Sequence, residues 1–134
     1  MPVVIDTSVT MAWFFEDETT PETEAALDLL GHDEAAVPAL WRLEVANTLL
    51  VAERRKRITE AQGARFLDAL ARLPIRVDDT APSSAAIVSV GRQHSLSAYD
   101  AAYLLLAERI GAPLATLNTS LATAARTAGV ALLF

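Results

Sequence analysis

The sequence predicts a three-layer α/β/α fold with a central, largely parallel sheet. Three observations carry this. Short apolar runs alternate with helix-length segments along the whole chain, the pattern of strands joined by crossover helices. The 134 residues are 52% hydrophobic, enough for one packed domain over residues 1–134. No linker, internal repeat or low-complexity tract interrupts the alternation.

Val3 to Asp6 reads as a short buried strand, and Thr7-Ser8 opens a helix by capping and runs to about Phe15. Thr20-Pro21-Glu22 starts a second helix, with proline in its first turn, that stops at Gly31 after Leu30. Ala35 to Val37 is a strand, and Pro38 leads into a long helix that reaches Arg54-Arg55-Lys56-Arg57. Thr59-Glu60-Ala61-Gln62 resembles a capping box, opening a helix to about Leu73, where Pro74 breaks it. Ile75 to Val77 is a strand, and a helix follows from about Pro82 to His94. Ser97 caps a helix that ends at Gly111. Pro113 to Thr116 is a strand, Leu121 to Ala128 a helix ended by Gly129, and Val130 to Leu133 the last strand.

Composition excludes several classes. No apolar run approaches the roughly 20 residues that cross a bilayer, so no membrane role is expected. The N-terminus runs straight into a strand with no basic lead, which argues against a secretory signal and fits a cytoplasmic location. With zero cysteines there is no disulfide, thiolate zinc site or cysteine nucleophile. The net charge of −6 argues against a simple nucleic-acid coat, yet the charge is uneven. Residues 16–34 hold eight acids and no Lys or Arg, whereas residues 42–76 hold eight of the eleven basic residues against four acids. The tightest basic cluster, Arg54 to Arg57, is either a solvated helix end or a hold for a polyanion.

Three carboxylates stand out. Asp6 ends the run Val3-Val4-Ile5, Glu44 lies among Leu40, Trp41, Asn47 and Thr48 at helical spacing, and Asp100 lies among Leu96, Ser97, Tyr103 and Leu104. No Lys or Arg sits at helical spacing from Glu44 or Asp100. An unpaired charge against apolar surface must neutralise, find a distant partner or bind a metal. A shared divalent cation answers for all three, and an oxygen-only donor set suits Mg²⁺ or Mn²⁺ over zinc. In parallel sheets ligands bind beyond the carboxyl ends of the strands. Asp6 and Asn118 belong at that edge, and the helices of Glu44 and Asp100 can flank it.

The chain resembles the PIN-domain ribonucleases, most closely the VapC-type toxins of VapBC toxin–antitoxin pairs. The resemblance covers nearly the whole chain. It is carried by Val4-Ile5-Asp6-Thr7-Ser8, by Glu44 with Asn47, by Leu96-Ser97-Ala98-Tyr99-Asp100-Ala101-Ala102-Tyr103 and by Leu114-Ala115-Thr116-Leu117-Asn118. It implies a PIN-like domain whose acidic pocket holds Mg²⁺ or Mn²⁺ and cleaves RNA phosphodiester bonds. It also implies a VapB-like antitoxin as partner, and a homodimer. One position departs from the family, which normally has a fourth Asp where this chain has Asn118. A neutral amide weakens the hold on a hard cation, so Asn118 counts only as a weak metal ligand.

The catalytic candidates are therefore Asp6, Glu44 and Asp100. Asp6 and Asp100 are central metal ligands, and Glu44 is a ligand directly or through water. The plainer readings are a turn-capping Asp6, an Asp100 favoured by its helix dipole and a Glu44 paired with a distant Arg. Ser8 and Thr116 orient ligands or water, or else only cap and fill. Asn47 bonds the Glu44 carboxylate or RNA. Arg54, Arg55, Lys56 and Arg57 are candidates to hold the RNA backbone. Trp13-Phe14-Phe15 reads as core packing, with a partner surface as the rival. A phosphoryl-receiver domain fits poorly, because the only lysine, Lys56, lies inside the basic run. A haloacid-dehalogenase-like phosphatase wants a second acid two residues after Asp6, where Ser8 stands. The rival of another class is a PIN fold that binds RNA or a partner but scarcely cleaves, because of Asn118.

Overall fold

The computed structural model describes residues 2–134. Four strands form one parallel sheet: β1 (Val3–Ile5), β2 (Ala35–Pro38), β3 (Ile75–Asp78) and β4 (Leu114–Ala115). Their order is β3-β2-β1-β4, which places β1 inside the sheet. Among the described residues seven α-helices connect and cover them: α1 (Thr7–Ala12), α2 (Pro21–Leu29), α3 (Leu40–Arg54), α4 (Glu60–Ala71), α5 (Ser84–His94), α6 (Ala98–Ile110) and α7 (Thr119–Ala128).

The helix starts follow their capping chemistry. Thr20 and Thr23 close a reciprocal capping box on α2, with Pro21 in the first turn, and Thr59 and Gln62 do the same for α4. Helix α6 opens on Ser97, whose Oγ accepts from the Asp100 amide at 3.1 Å, and it ends at Gly111 with φ +64°. A Cβ is strained in that left-handed conformation, so glycine suits the stop. Helix α3 buries one stripe, Trp41, Val45, Leu49 and Ala52, and Trp41 Nε1 donates to Thr10 Oγ1 of α1 at 3.0 Å. Helix α6 is the most enclosed, with Ala101 to Leu104, Leu106 and Ala107 all buried. Val3, Val4, Ile5, Leu104, Leu114 and Leu121 are fully buried, and truncating Ile5 or Leu104 to Ala should cost about 2–5 kcal/mol.

Several boundaries differ from those expected. The first helix ends at Ala12, three residues before the expected Phe15, and a separate 3-10 turn follows at Glu16–Glu18. Its cap is Asp6 itself, whose carboxylate accepts from the Val9 amide. Helix α5 starts at Ser84 behind a Ser83 cap, and α7 starts at Thr119 behind an Asn118 cap. The expected last strand, Val130 to Leu133, does not form. Only Leu132 bridges Leu114, because β4 is two residues long and offers little edge to extend. Trp13, Phe14 and Phe15 pack inward: Trp13 Nε1 donates to the Thr23 carbonyl at 2.8 Å, and Phe14 lies against Phe15 and Phe66.

Candidate active site

β1 delivers Asp6 to the carboxyl edge of the sheet, where the chain turns into α1. The side chain is only 3% exposed. Its Oδ1 accepts from Ser8 Oγ at 2.5 Å and from the Val9 amide at 3.1 Å, and its Oδ2 accepts from Thr116 Oγ1 at 2.5 Å. A carboxylate offers about four lone-pair directions, so one on Oδ2 stays open. Burial pushes the Asp6 pKa up, the hydrogen bonds from Ser8, Thr116 and Val9 oppose that, and Asp100 adds a further push.

Asp100 sits in the first turn of α6, half-buried. Its pKa is raised by burial first and then by the charge of Glu44, with the Ser97 bond working the other way. Asp6 thus feels Asp100, and Asp100 feels Glu44, so the three acids expected to converge do share one field. Among the described residues none of the three is in an ion pair with Lys or Arg. Asp78 makes the contrast. It too ends a strand at this edge, but Arg109 Nη2 approaches it at 2.5 Å and Arg76 at 3.5 Å. Arg109 above all lowers its pKa, which marks a structural ion pair.

Glu44 is held from two sides, by residues that sequence reasoning did not select. Tyr103 donates its hydroxyl to Oε1 at 2.6 Å, and Thr7 donates Oγ1 to the same oxygen at 3.0 Å. The two hydroxyl oxygens lie 3.0 Å apart. Tyr103 is 1% exposed, and burial with the Glu44 bond pushes its pKa up, so it remains a donor at any ordinary pH. The one available signal was position: Thr7 follows Asp6, and Tyr103 lies one helical turn after Asp100.

Asn118 comes to the site by its amide nitrogen. Its Oδ1 accepts from the Leu121 amide at 3.1 Å as the cap of α7, while Nδ2 donates to Asp100 Oδ2 at 3.3 Å. The oxygen expected to face a cation is therefore spent on the helix. Thr116 Oγ1 links two parts of the site, donating to Asp6 and accepting from the Asn118 backbone amide at 3.0 Å. Ser8 Oγ likewise accepts from the Leu117 amide at 3.0 Å while donating to Asp6. Asn47 is exposed and makes no side-chain hydrogen bond among the described residues, to Glu44 or to any other group.

The basic cluster lies at the far end of α3, about 15 Å along the axis from Glu44. Arg54, Arg55 and Lys56 are exposed there. Arg57 is committed: its Nη2 contacts Asp17 at 2.7 and 2.9 Å and Glu18 at 3.4 Å, and its guanidinium lies 3.9 Å from the Phe15 ring centroid.

The donor set fits a hard cation. It is all oxygen, crowded with negative charge and free of competing cations. Among the described residues no three acids or histidines close tightly enough to form a ready-made cage. Mg²⁺ keeps several waters and takes only one or two carboxylates directly, so it does not require such a cage.

Comparison with known proteins identifies the family and the fold. The family model described as the PIN domain matches residues 3–127. Ribonuclease VapC3 of Pyrobaculum aerophilum is 31% identical over 124 residues, covering 91% of this chain and 93% of the relative. Three solved structures share the fold. PAE2754 from Pyrobaculum aerophilum superposes with a TM-score of 0.73 at 22% identity, over 92% of this chain and 84% of that one. VapBC2 from Rickettsia felis, bound to a DNA fragment from their promoter, gives 0.70 at 16% identity over 98% and 97%. FitAcB from Neisseria gonorrhoeae gives 0.64 at 18% identity over 97% and 95%. Matches of that extent make the assignment direct: the chain belongs to the PIN-domain family, among its VapC-type ribonucleases.

Proposed function

We propose that this protein is a Mg²⁺- or Mn²⁺-dependent endoribonuclease, the toxin of a type II toxin–antitoxin pair. The observation that carries the reading is the trio Asp6, Glu44 and Asp100, tied together through Thr7, Tyr103, Thr116 and Asn118, with none of the three in an ion pair with Lys or Arg among the described residues. Asp6, through its open Oδ2 direction, and Asp100 would hold the ion, with Glu44 joining directly or through water. When bound, the ion supplies Lewis acidity toward the phosphate and acidifies water. The protein's own share follows from its hydrogen bonds. Ser8 and Thr116 hold the Asp6 carboxylate in one orientation, and the Asn118 amide does the same for Asp100. Glu44 Oε2 accepts no hydrogen bond from any described residue, so it is free to orient water or take a proton. Arg54, Arg55 and Lys56, with Arg57 once its acidic partners yield, would hold the RNA backbone, and Asn47 is free to reach a base or ribose.

An antitoxin similar to VapB is the proposed partner, since similar solved structures are a toxin–antitoxin complex from Klebsiella pneumoniae and VapBC2 from Rickettsia felis, and a homodimer is the assembly that the family resemblance implies. Among the described residues no helix is long and apolar enough to cross a membrane, and a toxin acting on cellular RNA belongs in the cytoplasm. The second reading, a PIN fold that scarcely cleaves, is favoured by one observation: Asn118 spends its oxygen on α7. Protein freed of any partner should cut RNA when Mg²⁺ or Mn²⁺ is added and stop when the metal is chelated. Full activity in excess chelator would overturn the metal-dependent reading, and no cleavage at any metal concentration would favour the second.

A further inference from the structure

We infer that Thr7 and Tyr103 form a hydroxyl clamp on Glu44 that sets its position and leaves one carboxylate oxygen for the metal. The inference rests on the proposed metal site and adds two positioning residues to it. Three oxygens make a closed triangle: Glu44 Oε1 lies 2.6 Å from Tyr103 and 3.0 Å from Thr7, which are themselves 3.0 Å apart. Each hydroxyl carries one proton, and an ionised carboxylate carries none. Directing both protons at Oε1 satisfies the acid, because hydrogen bonds to a charged acceptor are the stronger ones. Oε1 is then saturated while Oε2 carries no bond from a described residue, so Glu44 is prepared to meet an ion or its water through a single oxygen.

The origin of the two hydroxyls makes the clamp more than local packing. Thr7 is bonded in sequence to Asp6 and opens α1; Tyr103 sits one turn along α6 from Asp100. Each element that carries one of the other two acids therefore also reaches across to grip the third. The contacts span 37 and 59 residues, so α1, α3 and α6 are cross-tied at this one oxygen. The distances among the acids are thereby fixed before any ion arrives. The clamp is also placed to hold its geometry. Tyr103 is almost fully buried and cannot swing to solvent, and Thr7 is anchored by the helix start. Groups that orient ligands from behind commonly change metal affinity 10–100-fold when removed.

Direct titration of the RNA-free protein with Mn²⁺ alone, read by the electron paramagnetic resonance of unbound Mn²⁺, tests the clamp without requiring turnover. Tyr103→Phe and Thr7→Val each remove one hydroxyl and keep the shape. Each should weaken Mn²⁺ binding about 10-fold. Thr7→Ser, which keeps the hydroxyl, should bind like the parent. Thr23→Val, which removes a buried hydroxyl of the α2 cap, should lower the melting temperature and leave Mn²⁺ affinity unchanged. If Tyr103→Phe fails to fold, the Thr7 pair decides alone. Parent-like Mn²⁺ affinity in Tyr103→Phe and Thr7→Val overturns the clamp, as does a parent protein that binds no Mn²⁺. Failure of the ribonuclease reading looks different: Mn²⁺ binds and the clamp variants weaken it, yet RNA stays uncut.

Discussion

Asp100 carries a charge that its surroundings oppose, half-buried and facing the charge of Glu44. Asp100→Asn removes that repulsion and keeps the size of the side chain. The metal-free variant should melt at or above the parent temperature, while RNA cleavage falls on the order of 10²–10³-fold, the loss seen when one group that stabilises developing charge is removed. A well-folded variant with unchanged turnover would remove Asp100 from the required set. Asp78 behaves in the opposite sense. Its pKa is lowered, chiefly by Arg109, so its ionised form favours the folded state. That stability is present above the unfolded carboxylate pKa of about 3.9 and is lost as pH falls through the lower folded value. Asp78→Asn should cost about 1–2 kcal/mol at neutral pH, allowing for the solvent that reaches Arg109, and the gap from the parent should narrow below about pH 4 in thermal melts.

At the scale of the element, α7 ties two questions to one side chain. Asn118 caps the helix with its oxygen and steadies Asp100 with its nitrogen. Asn118→Asp keeps a good cap but turns the donor toward Asp100 into a second carboxylate. Without metal the acids then repel, and with metal the site gains charge. The expected result is a lower Mg²⁺ concentration for half-maximal cleavage and a faster rate at limiting Mg²⁺; superimposable titration curves would place position 118 outside the metal's reach. Asn118→Ala should cost about 1 kcal/mol through the lost cap, seen as a lower melting temperature. The element boundaries show what sequence makes legible. Thr20 and Thr59 announced their helices because a capping box is a local bond between neighbours in the chain. Val130 to Leu133 was legible only in part: the run does pair in parallel with Leu114, through one bridge at Leu132, but periodicity does not say that the pairing stops there. The Asn118 cap was read as a site position alone, since only the backbone path after Thr116 shows that its oxygen points into α7.

Across the whole molecule, one strand end and two helices carry Asp6, Glu44 and Asp100 toward one edge, which is why sequence could propose them as one set. Thr7 and Tyr103 could not. Their common hydroxyls gain meaning only from the packing of α1, α3 and α6, which spacing does not specify. The same holds for Arg57, which sequence grouped with its neighbours and the fold gave to Asp17 and Glu18. The remaining cluster invites a salt test. Neutralising Arg54, Arg55 and Lys56 together should weaken binding to single-stranded RNA and flatten the slope of log affinity against log salt by about 2, the value for three phosphate contacts. An unchanged slope would make them an ordinary solvated helix end.

The inner place of β1 has a further consequence, in time instead of space. Its partners arrive at very different moments of synthesis: β2 follows within a few dozen residues, but β4 and Thr116 come near the end of the chain. The bond from Thr116 to Asp6 closes a span of 110 residues, so the first acid made waits longest for its final hydrogen bond. Non-local closures of this kind form late and slowly in folding. A nascent chain already carrying Asp6, Glu44 and Asp100 thus lacks one of the two hydroxyls that hold Asp6 until residue 116 is made, so the orientation of this first acid is completed only after the other two are in place.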